Sequence, residues 1–443
     1  MRPRTAAPDD MPDPAALTKP QARSELTLIL LVAAVQFVNI LDFVMVMPLG
    51  PDFAAALAIP VSNLGFVGGA YTAAAAVAGL AGSLFLDRFD RRRALGVAMT
   101  GLVLGTALGG FAPQLAQLGL VQLLASRVHQ PATLVALMLA RVLAGVFGGP
   151  ATSISISIIA DRVPPQRRGK AMGIVMGAFA AASVIGVPAG LEAARMGGWR
   201  MPFFGVAGIG ALVAFGAVSL LPPLTGHLAA AHARDRFAFL QLFGNPLALL
   251  SWTTTATVMM AGFVLIPNIS AYVQGNLGYP RARLGVLYMA GGIFSLLATQ
   301  LGGRVVDKIG SARTALAGSI LLITATQIGF ALRVPPLPIV ALFMLFMTAM
   351  GLRNVSYQTL ASRVPGPAER AGFMSIQSSV QHSSSACAAF LSSYLLVEQD
   401  GKLIGMPTVA HFSMALSALV PLLIFTLETA VLRRDRRAAS AAR

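Results

Sequence analysis

The sequence predicts an all-α membrane protein: twelve transmembrane helices in two pseudo-symmetric six-helix bundles, with the N and C termini in the cytoplasm. Three observations support this prediction. Hydrophobic residues make up 56% of the 443 residues and charged residues only 11%, a composition that a soluble domain of this size does not show. A charged motif occurs twice, about half a chain apart. Lysine and arginine are concentrated in alternate loops.

The twelve spans are the apolar stretches long enough to cross about 30 Å of hydrocarbon. They are predicted at 26–48, 62–86, 94–113, 132–160, 170–192, 201–221, 247–270, 284–303, 314–333, 338–361, 373–397 and 409–432. The corresponding domains are a disordered cytoplasmic tail (1–25), the first bundle (26–221), a cytoplasmic central loop (222–246), the second bundle (247–432) and a basic cytoplasmic tail (433–443).

The distribution of basic residues predicts the orientation. With the N-terminus inside, 24 of the 33 lysines and arginines fall in cytoplasmic segments, 7 on the opposite face and 2 within spans. Such an asymmetry places both termini in the cytoplasm. The net charge of +16 is spread over short loops and forms no continuous basic surface, so nucleic-acid binding is not expected.

The repeated charged motif indicates a duplicated unit. Its first copy lies at 83–93, after the second span, and its second copy at 303–313, after the eighth span. Internal repeats with a charged hinge on one membrane face are typical of transporters. The first half also carries an insertion between its third and fourth spans, around residues 117–129, for which a longer helical hairpin is favoured over a substrate lid.

The chain resembles the major facilitator superfamily, and within it the twelve-helix drug:proton antiporters of the bacterial arabinose-efflux or purine-nucleoside-efflux type. In the family's signature loop after the second span, four residues match and two glycines are replaced, by Ser83 and Asp90. The matching residues are Asp87, Arg88, Arg91 and Arg92. In the second copy Gly303, Asp307 and Gly310 match, whereas Ser311 and Ala312 replace the last basic pair.

Charged residues at the ends of these spans are predicted to form a conformational latch, because water can replace ion pairs at a helix end at little cost when the protein changes state. In particular, Arg91 and Arg92 are expected to meet Asp161. Simple positive-inside anchoring is the alternative for the basic residues. The predicted latch residues are Asp87, Arg88, Arg91, Arg92, Asp161, Arg167, Asp307, Lys308 and Arg313.

Two charges within the spans predict a proton-coupling site. Counting at about 1.5 Å per residue, Asp42 in the first span and Arg141 in the fourth lie about 24 and 29 Å from the cytoplasmic end, at similar depth. A poorly solvated cavity favours a protonated carboxyl group and a neighbouring guanidinium favours a charged one, so the distance between the two would control the proton. A static buried ion pair is the alternative. The resemblance supports coupling, since antiporters of this type carry an arginine followed four residues later by a glycine, as do Arg141 and Gly145.

Polar residues within other spans predict a substrate cavity, because polar groups at membrane depth favour a cavity over lipid. The predicted cavity residues are Gln36, Asn39, Arg353, Asn354, Tyr357, Gln377, Gln381 and His382. His382 is expected either to titrate or, as an alternative, to be satisfied by neighbouring serines. Small residues predict a helix-packing motif that partly matches the export pattern of the superfamily: Gly145, Gly177, Gly186, Pro188 and Gly190.

These observations together predict a secondary active transporter that exports a small organic molecule in exchange for protons by alternating access. The alternatives are a proton-coupled uptake symporter of a small metabolite and a transport-inactive membrane sensor. An enzyme is not expected, because no metal-ligand spacing and no nucleophile elbow occurs. The expected partners are a small-molecule substrate, protons and the lipid bilayer, with no cofactor, no metal and no nucleic acid. A monomer in the bacterial inner membrane is expected.

Overall fold

The computed structural model describes residues 19–225, 242–332, 337–366 and 370–441. Helices dominate these ranges. They are α1 (Lys19–Val46), α2 (Gly50–Leu57), α3 (Leu64–Phe85), α4 (Arg91–Gly110), α5 (Ala112–Leu115), α6 (Gly119–Val128), α7 (Ala132–Arg162), α8 (Pro165–Ala181), α9 (Val187–Gly197), α10 (Arg200–Leu220), α11 (Pro246–Phe263), α12 (Ile269–Gly275), α13 (Leu284–Ile309), α14 (Ser311–Thr326), α15 (Ile339–Ala361), α16 (Arg370–Leu395) and α17 (Met406–Ala441). Strands β1 (Val397–Gln399) and β2 (Lys402–Ile404) form an antiparallel hairpin.

Within the described ranges, eleven helical segments are long and apolar enough to cross a membrane. The predicted twelfth corresponds to α16, which is 26 residues long but is not among the eleven. This helix is rich in serine and carries Gln377, Gln381 and His382. The protein is therefore a multi-pass helical membrane protein, and the count of twelve spans stays a prediction at α16.

Several boundaries differ from those predicted. Helix α1 begins at Lys19, inside the predicted tail of 1–25, and α17 continues to Ala441 through most of the predicted tail of 433–443. Alanine and arginine favour helix, which explains the second extension. The predicted seventh span, 247–270, is interrupted after Phe263 by a 3₁₀ turn at Ile266–Asn268 that contains Pro267. Residues 1–18 and 226–241 of the predicted tail and central loop lie outside the described residues.

The insertion in the first half is helical, as expected for a hairpin. Helices α5 and α6 lie between α4 and α7, and α6 is terminated by His129, which follows Val128 and has a left-handed φ of 54°. The fifth predicted span contains a π-helical segment, Ala182–Gly186, between α8 and α9. Such segments often occur at functional sites and widen the helix locally. Pro188, which cannot donate a backbone hydrogen bond, is the second residue after this segment.

The two halves, α1–α10 and α11–α17, meet along α3 and α16, which run antiparallel. Gly65 at the start of α3 lies against the carbonyl of Ala389 near the end of α16, whereas Ser379 donates a 3.1 Å hydrogen bond to the carbonyl of Ala76, further along α3. The start of α3 and the end of α16 thus lie at one end of the molecule. Because α1 leads to the start of α3 and α17 follows the end of α16, the start of α1 and the end of α17 both lie at the opposite end. We call this the terminus end and the opposite one the far end.

Candidate functional site

The two charged residues predicted to lie at equal depth are in direct contact. Nη1 of Arg141 donates to both carboxylate oxygens of Asp42, at 2.9 and 3.0 Å, and Nη2 lies 3.3 Å from the backbone carbonyl oxygen of Asp42. Asp42 is 0% exposed and Arg141 is 1% exposed. The pair joins α1 to α7 in the interior of the first half. Its role in proton coupling stays a prediction.

A threonine from a third helix completes the environment of the carboxylate. Oγ1 of Thr106, on α4, lies 2.7 Å from Oδ1 of Asp42 and 2.8 Å from the carbonyl oxygen of Leu102. A hydroxyl group has one proton to donate, so it can serve only one of these acceptors at a time. The Thr106 hydroxyl therefore has one position suited to a charged carboxylate and another suited to a carboxyl group that has gained a proton.

An aromatic residue connects this pair to Asn39, one of the two predicted cavity residues of α1. The guanidinium carbon of Arg141 lies 4.7 Å from the centre of the Tyr71 ring, a cation–π contact. The Tyr71 hydroxyl donates to Oδ1 of Asn39 at 2.7 Å, and Nδ2 of Asn39 lies 3.0 Å from the carbonyl oxygen of Gly148 and 2.6 Å from Oγ1 of Thr152. Gln36 is also buried, and its Oε1 has no hydrogen-bond partner among the described residues.

Glycines on α7 allow this helix to approach α3. A Cβ atom at Gly145 would lie 2.3 Å from the carbonyl oxygen of Tyr71, and one at Gly148 would lie 2.3 Å from the Tyr71 hydroxyl. Small residues permit such close helix contacts in membranes. Gly145, which follows Arg141 by four residues, therefore sets the distance at which Tyr71 meets the guanidinium.

The other glycines of the predicted packing motif either contact a different helix, α1, or make no close contact. A Cβ atom at Gly186 would lie 2.6 Å from a methyl carbon of Leu41, and one at Gly190 would lie 3.3 Å from Cγ of Met45, so both permit contact with α1. Gly177 has open space around its Cα, with no atom within 4 Å of such a Cβ. Pro188 lies in the first turn of α9.

Part of the predicted latch forms ion pairs, and each described pair stays within one half. In the first half, Nε of Arg91 lies 2.7 Å from Oδ2 of Asp161, and Arg167 pairs with Glu25 of α1 at 3.0 Å. Arg92 donates to the carbonyl of Leu221 at 3.0 Å instead of meeting Asp161. These contacts join α4 and α8 to neighbouring elements of the same bundle. Whether they act as a latch stays a prediction.

The remaining latch residues are exposed or lie outside the described side chains. Arg88 is exposed, and the side chain of Asp87 is outside the described part of the structure. In the second copy, Asp307, Lys308 and Arg313 are exposed, and none of the three forms an ion pair with a described residue. The start of α14 is instead joined to α17 through Glu428, which accepts hydrogen bonds from the backbone nitrogens of Ser311 and Ala312 at 2.8 and 3.1 Å.

The predicted cavity residues of the second half are brought together only in part. Arg353 and Tyr357 lie one turn apart on α15 and are 0% and 2% exposed, and Gln377 on α16 is 6% exposed. Nε2 of Gln377 lies 2.5 Å from Oγ1 of Thr255 on α11. Asn354, Gln381 and His382 are half-buried.

The sequence did not single out a pair of charged residues at the far end, Asp52 and Arg281. Nε of Arg281 donates to the two carboxylate oxygens of Asp52 at 2.7 and 3.0 Å, and Nη2 makes a further contact with Oδ2. Asp52 belongs to the first half and Arg281 to the second. Two more hydrogen bonds join the halves at this end: Ser270 to the carbonyl of Pro48 at 2.8 Å, and the backbone nitrogen of Val61 to Glu398 at 2.6 Å.

These elements define a helical membrane transporter with two halves. The Major Facilitator Superfamily profile matches residues 32–389, and the chain belongs to this superfamily. It is similar to the uncharacterized MFS-type transporter YtbD of Bacillus subtilis (strain 168), with 27% identity over 172 residues. That match covers 39% of this chain and 43% of the relative, less than half of its length.

Solved structures of transporters share the fold. The chain is similar to a D-xylose-proton symporter (TM-score 0.71, 19% identity, 92% of this chain and 99% of that chain). It is also similar to a bacterial homologue of the human lysosomal transporter Spinster in an inward-facing and unoccupied conformation (TM-score 0.67, 16% identity, 94% of this chain and 99% of that chain). A third similar structure is that of the nucleoside transporter NupG (TM-score 0.68, 13% identity, 90% of this chain and 99% of that chain). At these identities the likeness shows the fold alone.

Proposed function

We propose that this transporter exports a small organic molecule in exchange for protons, and that Asp42 is the carboxylate that binds and releases the coupled proton. The observation that carries the proposal is the buried contact among Asp42, Arg141 and Thr106. Acidic residues within membrane-spanning segments are costly and commonly mark proton pathways. No other described membrane-embedded carboxylate of the first half is fully buried against an arginine.

The contacts of Asp42 suit a proton exchange. A guanidinium group in contact favours the charged form of a carboxylate, and the two charges of this pair balance each other. If α7 moves relative to α1 so that the guanidinium withdraws, the carboxylate remains in poorly solvated surroundings, where the protonated form is favoured. Thr106 can follow this change, since its hydroxyl can turn from Asp42 to the carbonyl of Leu102. A substrate that alters the position of α7 relative to α1 would then be coupled to the proton.

The contacts between the halves support alternating access. In this structure the far end is held together across the two halves, whereas the ion pairs described at the terminus end each join residues of one half. A cavity could therefore open toward the terminus end without breaking any of these pairs. Release on the opposite side would require the contacts of the far end to separate.

The test is proton movement in proteoliposomes that contain the pH-sensitive dye pyranine. The vesicles are loaded acidic inside, and succinate, D-xylose, inosine or ethidium is added outside as the probe. Exchange predicts that at least one probe accelerates the loss of internal protons while the probe accumulates. Uptake by symport would instead require an acidic exterior and would acidify the interior, so the two directions give opposite signals.

Asp42→Asn should abolish the probe-dependent proton movement, and Asp400→Asn, which alters an exposed acid at the β-hairpin, should leave it unchanged. Because Asp42→Asn leaves Arg141 buried without its partner, the double variant Asp42→Asn/Arg141→Gln is measured beside it. Thermal unfolding identifies any variant that fails to fold. If Asp42→Asn exchanges protons at the rate of the parent, Asp42 does not have the proposed role.

A further inference from the structure

We propose that Arg353 forms an anion-binding site in the second half, and that the transported molecule carries a carboxylate or phosphate group. The identification of the bound anion as the transported molecule rests on the proposed function. The existence of the site does not, because it follows from the surroundings of one buried guanidinium.

Arg353 is buried without an ionic partner. It is 0% exposed, its Nη2 lies 3.4 Å from the backbone carbonyl oxygen of Val258, and neither Nε nor Nη1 has a hydrogen-bond partner among the described residues. The buried arginine of the first half differs, since Arg141 contacts both carboxylate oxygens of Asp42. Among the described side chains there are therefore two fully buried guanidinium groups, and one of them has a charge partner.

No described acidic residue of the second half forms an ion pair with Arg353. Glu428, within α17, binds the start of α14, and Asp435 pairs with Arg363. The remaining ones, Asp307, Glu398 and Asp400, are exposed. A charge inside a membrane is costly unless it is paired, and such residues are kept where they bind an ion or substrate.

The surroundings of Arg353 contain further polar groups that lack partners. Nε2 of Gln377 contacts Thr255, one turn from Val258 on α11, and this leaves Oε1 of Gln377 without a partner. Oδ1 of Asn354, the residue next to Arg353, also has none among the described residues. Helices α15 and α16, which carry Arg353 and Gln377, are thus each linked by a hydrogen bond to the segment Thr255–Val258 of α11, and both side chains keep unused hydrogen-bonding capacity.

A glycine makes space for the arginine. A Cβ atom at Gly318 on α14 would lie 2.9 Å from Cγ of Arg353, so a larger residue would displace the arginine side chain. The aliphatic part of Arg353 thus packs on α14, and its guanidinium group reaches across to α11. Tyr357, one turn further along α15 and 2% exposed, adds a hydroxyl group to the same side of the bundle.

This arrangement favours an anionic group with several oxygens on one atom, such as a planar carboxylate or a tetrahedral phosphate. A guanidinium group offers parallel N–H donors, which match the two oxygens of a carboxylate or phosphate. A cationic ligand would be repelled, and a neutral sugar would leave the charge unbalanced. Movement of α11 relative to α15 during the transport cycle would open the site, since Val258 is the residue that the guanidinium now contacts.

The test uses the full chain purified in detergent and measures its thermal unfolding. Arg353→Met is compared with Arg141→Met as the matched control. If Arg353 is held ready for an anion, Arg353→Met should keep or raise the Tm, because it removes an unpaired buried charge. Arg141→Met should lower the Tm, because it leaves Asp42 buried and unpaired.

The anion itself is tested with sodium succinate and sodium phosphate against sodium chloride at equal ionic strength. One of the two should raise the Tm of the parent by at least about 2 °C, since a ligand that binds the folded state stabilises it. This increase should be absent in Arg353→Met and present in Asp400→Asn, which alters an exposed acid of the β-hairpin and leaves both buried arginines as they are.

Two results would overturn the proposal. A Tm of Arg353→Met more than about 2 °C below that of the parent would show that the guanidinium is a structural element. An equal response of the parent to succinate, phosphate and chloride, or an anion effect that survives in Arg353→Met, would show that Arg353 does not bind an anion. Neither result would bear on proton exchange by Asp42, which the proteoliposome measurement tests separately.

Discussion

Arg281 and Asp52, which lie 229 residues apart in the chain, form a two-pronged ion pair that joins the two halves of the transporter at the far end. Their side chains are 30% and 24% exposed, so the pair is within reach of water. Arg281 also lies 3.4 Å from the carbonyl oxygen of Leu191, which connects it to α9. In the proposed alternating-access cycle, this pair would stabilise the state closed at the far end and would separate in the state open there.

We therefore expect Asp52→Asn to shift the conformational equilibrium toward a state open at the far end. A partly exposed ion pair contributes about 1 kcal/mol, which corresponds to about a fivefold change in the ratio of the two states. The measurement is the distribution of distances between spin labels at Arg127→Cys and Asp400→Cys, both exposed positions, in a Cys387→Ser background.

The charge-swapped double variant Asp52→Arg/Arg281→Asp provides the control for this measurement. It restores the attraction with the charges exchanged, so the parent distribution should return at least in part. If Asp52→Asn leaves the distances unchanged, or if the swapped variant resembles Asp52→Asn, the pair does not determine which state is populated.

Thr106 is expected to contribute more to stability than a threonine on a leucine-rich helix ordinarily does. Thr106→Val keeps the shape of the side chain but removes the donor to the buried carboxylate of Asp42. A hydrogen bond to a charged group contributes about 1.5–3 kcal/mol, so the Tm in detergent should fall. Thr106→Ser retains the hydroxyl and should remain closer to the parent. A loss in Thr106→Ser as large as that in Thr106→Val would show that the hydroxyl contributes no more than the methyl group.

The contact between Asp42 and Arg141 could be predicted from the sequence because each is a rare charge in a long apolar stretch, and counting residues gives its depth. Thr106 and Tyr71 gave no such signal, since a hydroxyl group carries little weight in hydropathy and its partner is known only when α3 and α4 are placed. Gln36 and Asn39 could be predicted because they are polar residues within a single apolar span. Tyr71 could not, because it lies on a different helix and spacing within one helix gives no information about contacts between helices.

The pair formed by Asp52 and Arg281 lies beyond sequence reasoning for a different cause. Both residues occur near the ends of short helices, where charged residues are common, and only the packing of the two halves brings them together. Asp90 was noted as a departure from the glycine of the signature loop. Its structural role depends on Leu224, a residue that follows α10, and no spacing rule connects the two.

Two glycines of the predicted packing motif should respond differently to substitution. Gly145→Ala places a Cβ atom against the backbone of Tyr71, which cannot move aside as a flexible side chain would, and overpacking of this kind costs about 1–3 kcal/mol. Gly177→Ala meets no atom within 4 Å and removes a residue that disfavours helix, so it should be neutral or stabilising by up to about 1 kcal/mol.

Thermal unfolding of the two alanine variants in the same detergent compares them directly. The prediction fails if Gly177→Ala is as destabilising as Gly145→Ala, since this would mean that both glycines serve close helix packing. Binding of the probe that proves active in proteoliposomes adds a second measurement. Gly145→Ala should weaken coupling as well as stability, because it displaces Tyr71 from Arg141.

Asp90 and Asp161, both at the terminus end, should contribute unequally to stability. Asp90 precedes α4, and its Oδ1 accepts hydrogen bonds from the backbone nitrogens of Arg92 at 3.0 Å and Leu224 at 2.8 Å. Asp90→Ala therefore removes a helix cap and the attachment of the segment after α10, and we expect a loss of about 1–2 kcal/mol.

Asp161, by contrast, is 39% exposed and pairs with Arg91 through a single described contact. An exposed ion pair of this kind contributes about 0–1 kcal/mol, so Asp161→Asn should change the Tm little. Asp90→Asn is the matched control, because asparagine also accepts hydrogen bonds at a helix start and should retain most of the stability. If Asp161→Asn proves the more damaging change, the pair with Arg91 must carry an interaction stronger than its exposure implies, and the cap at Asp90 would be secondary at this end of the bundle.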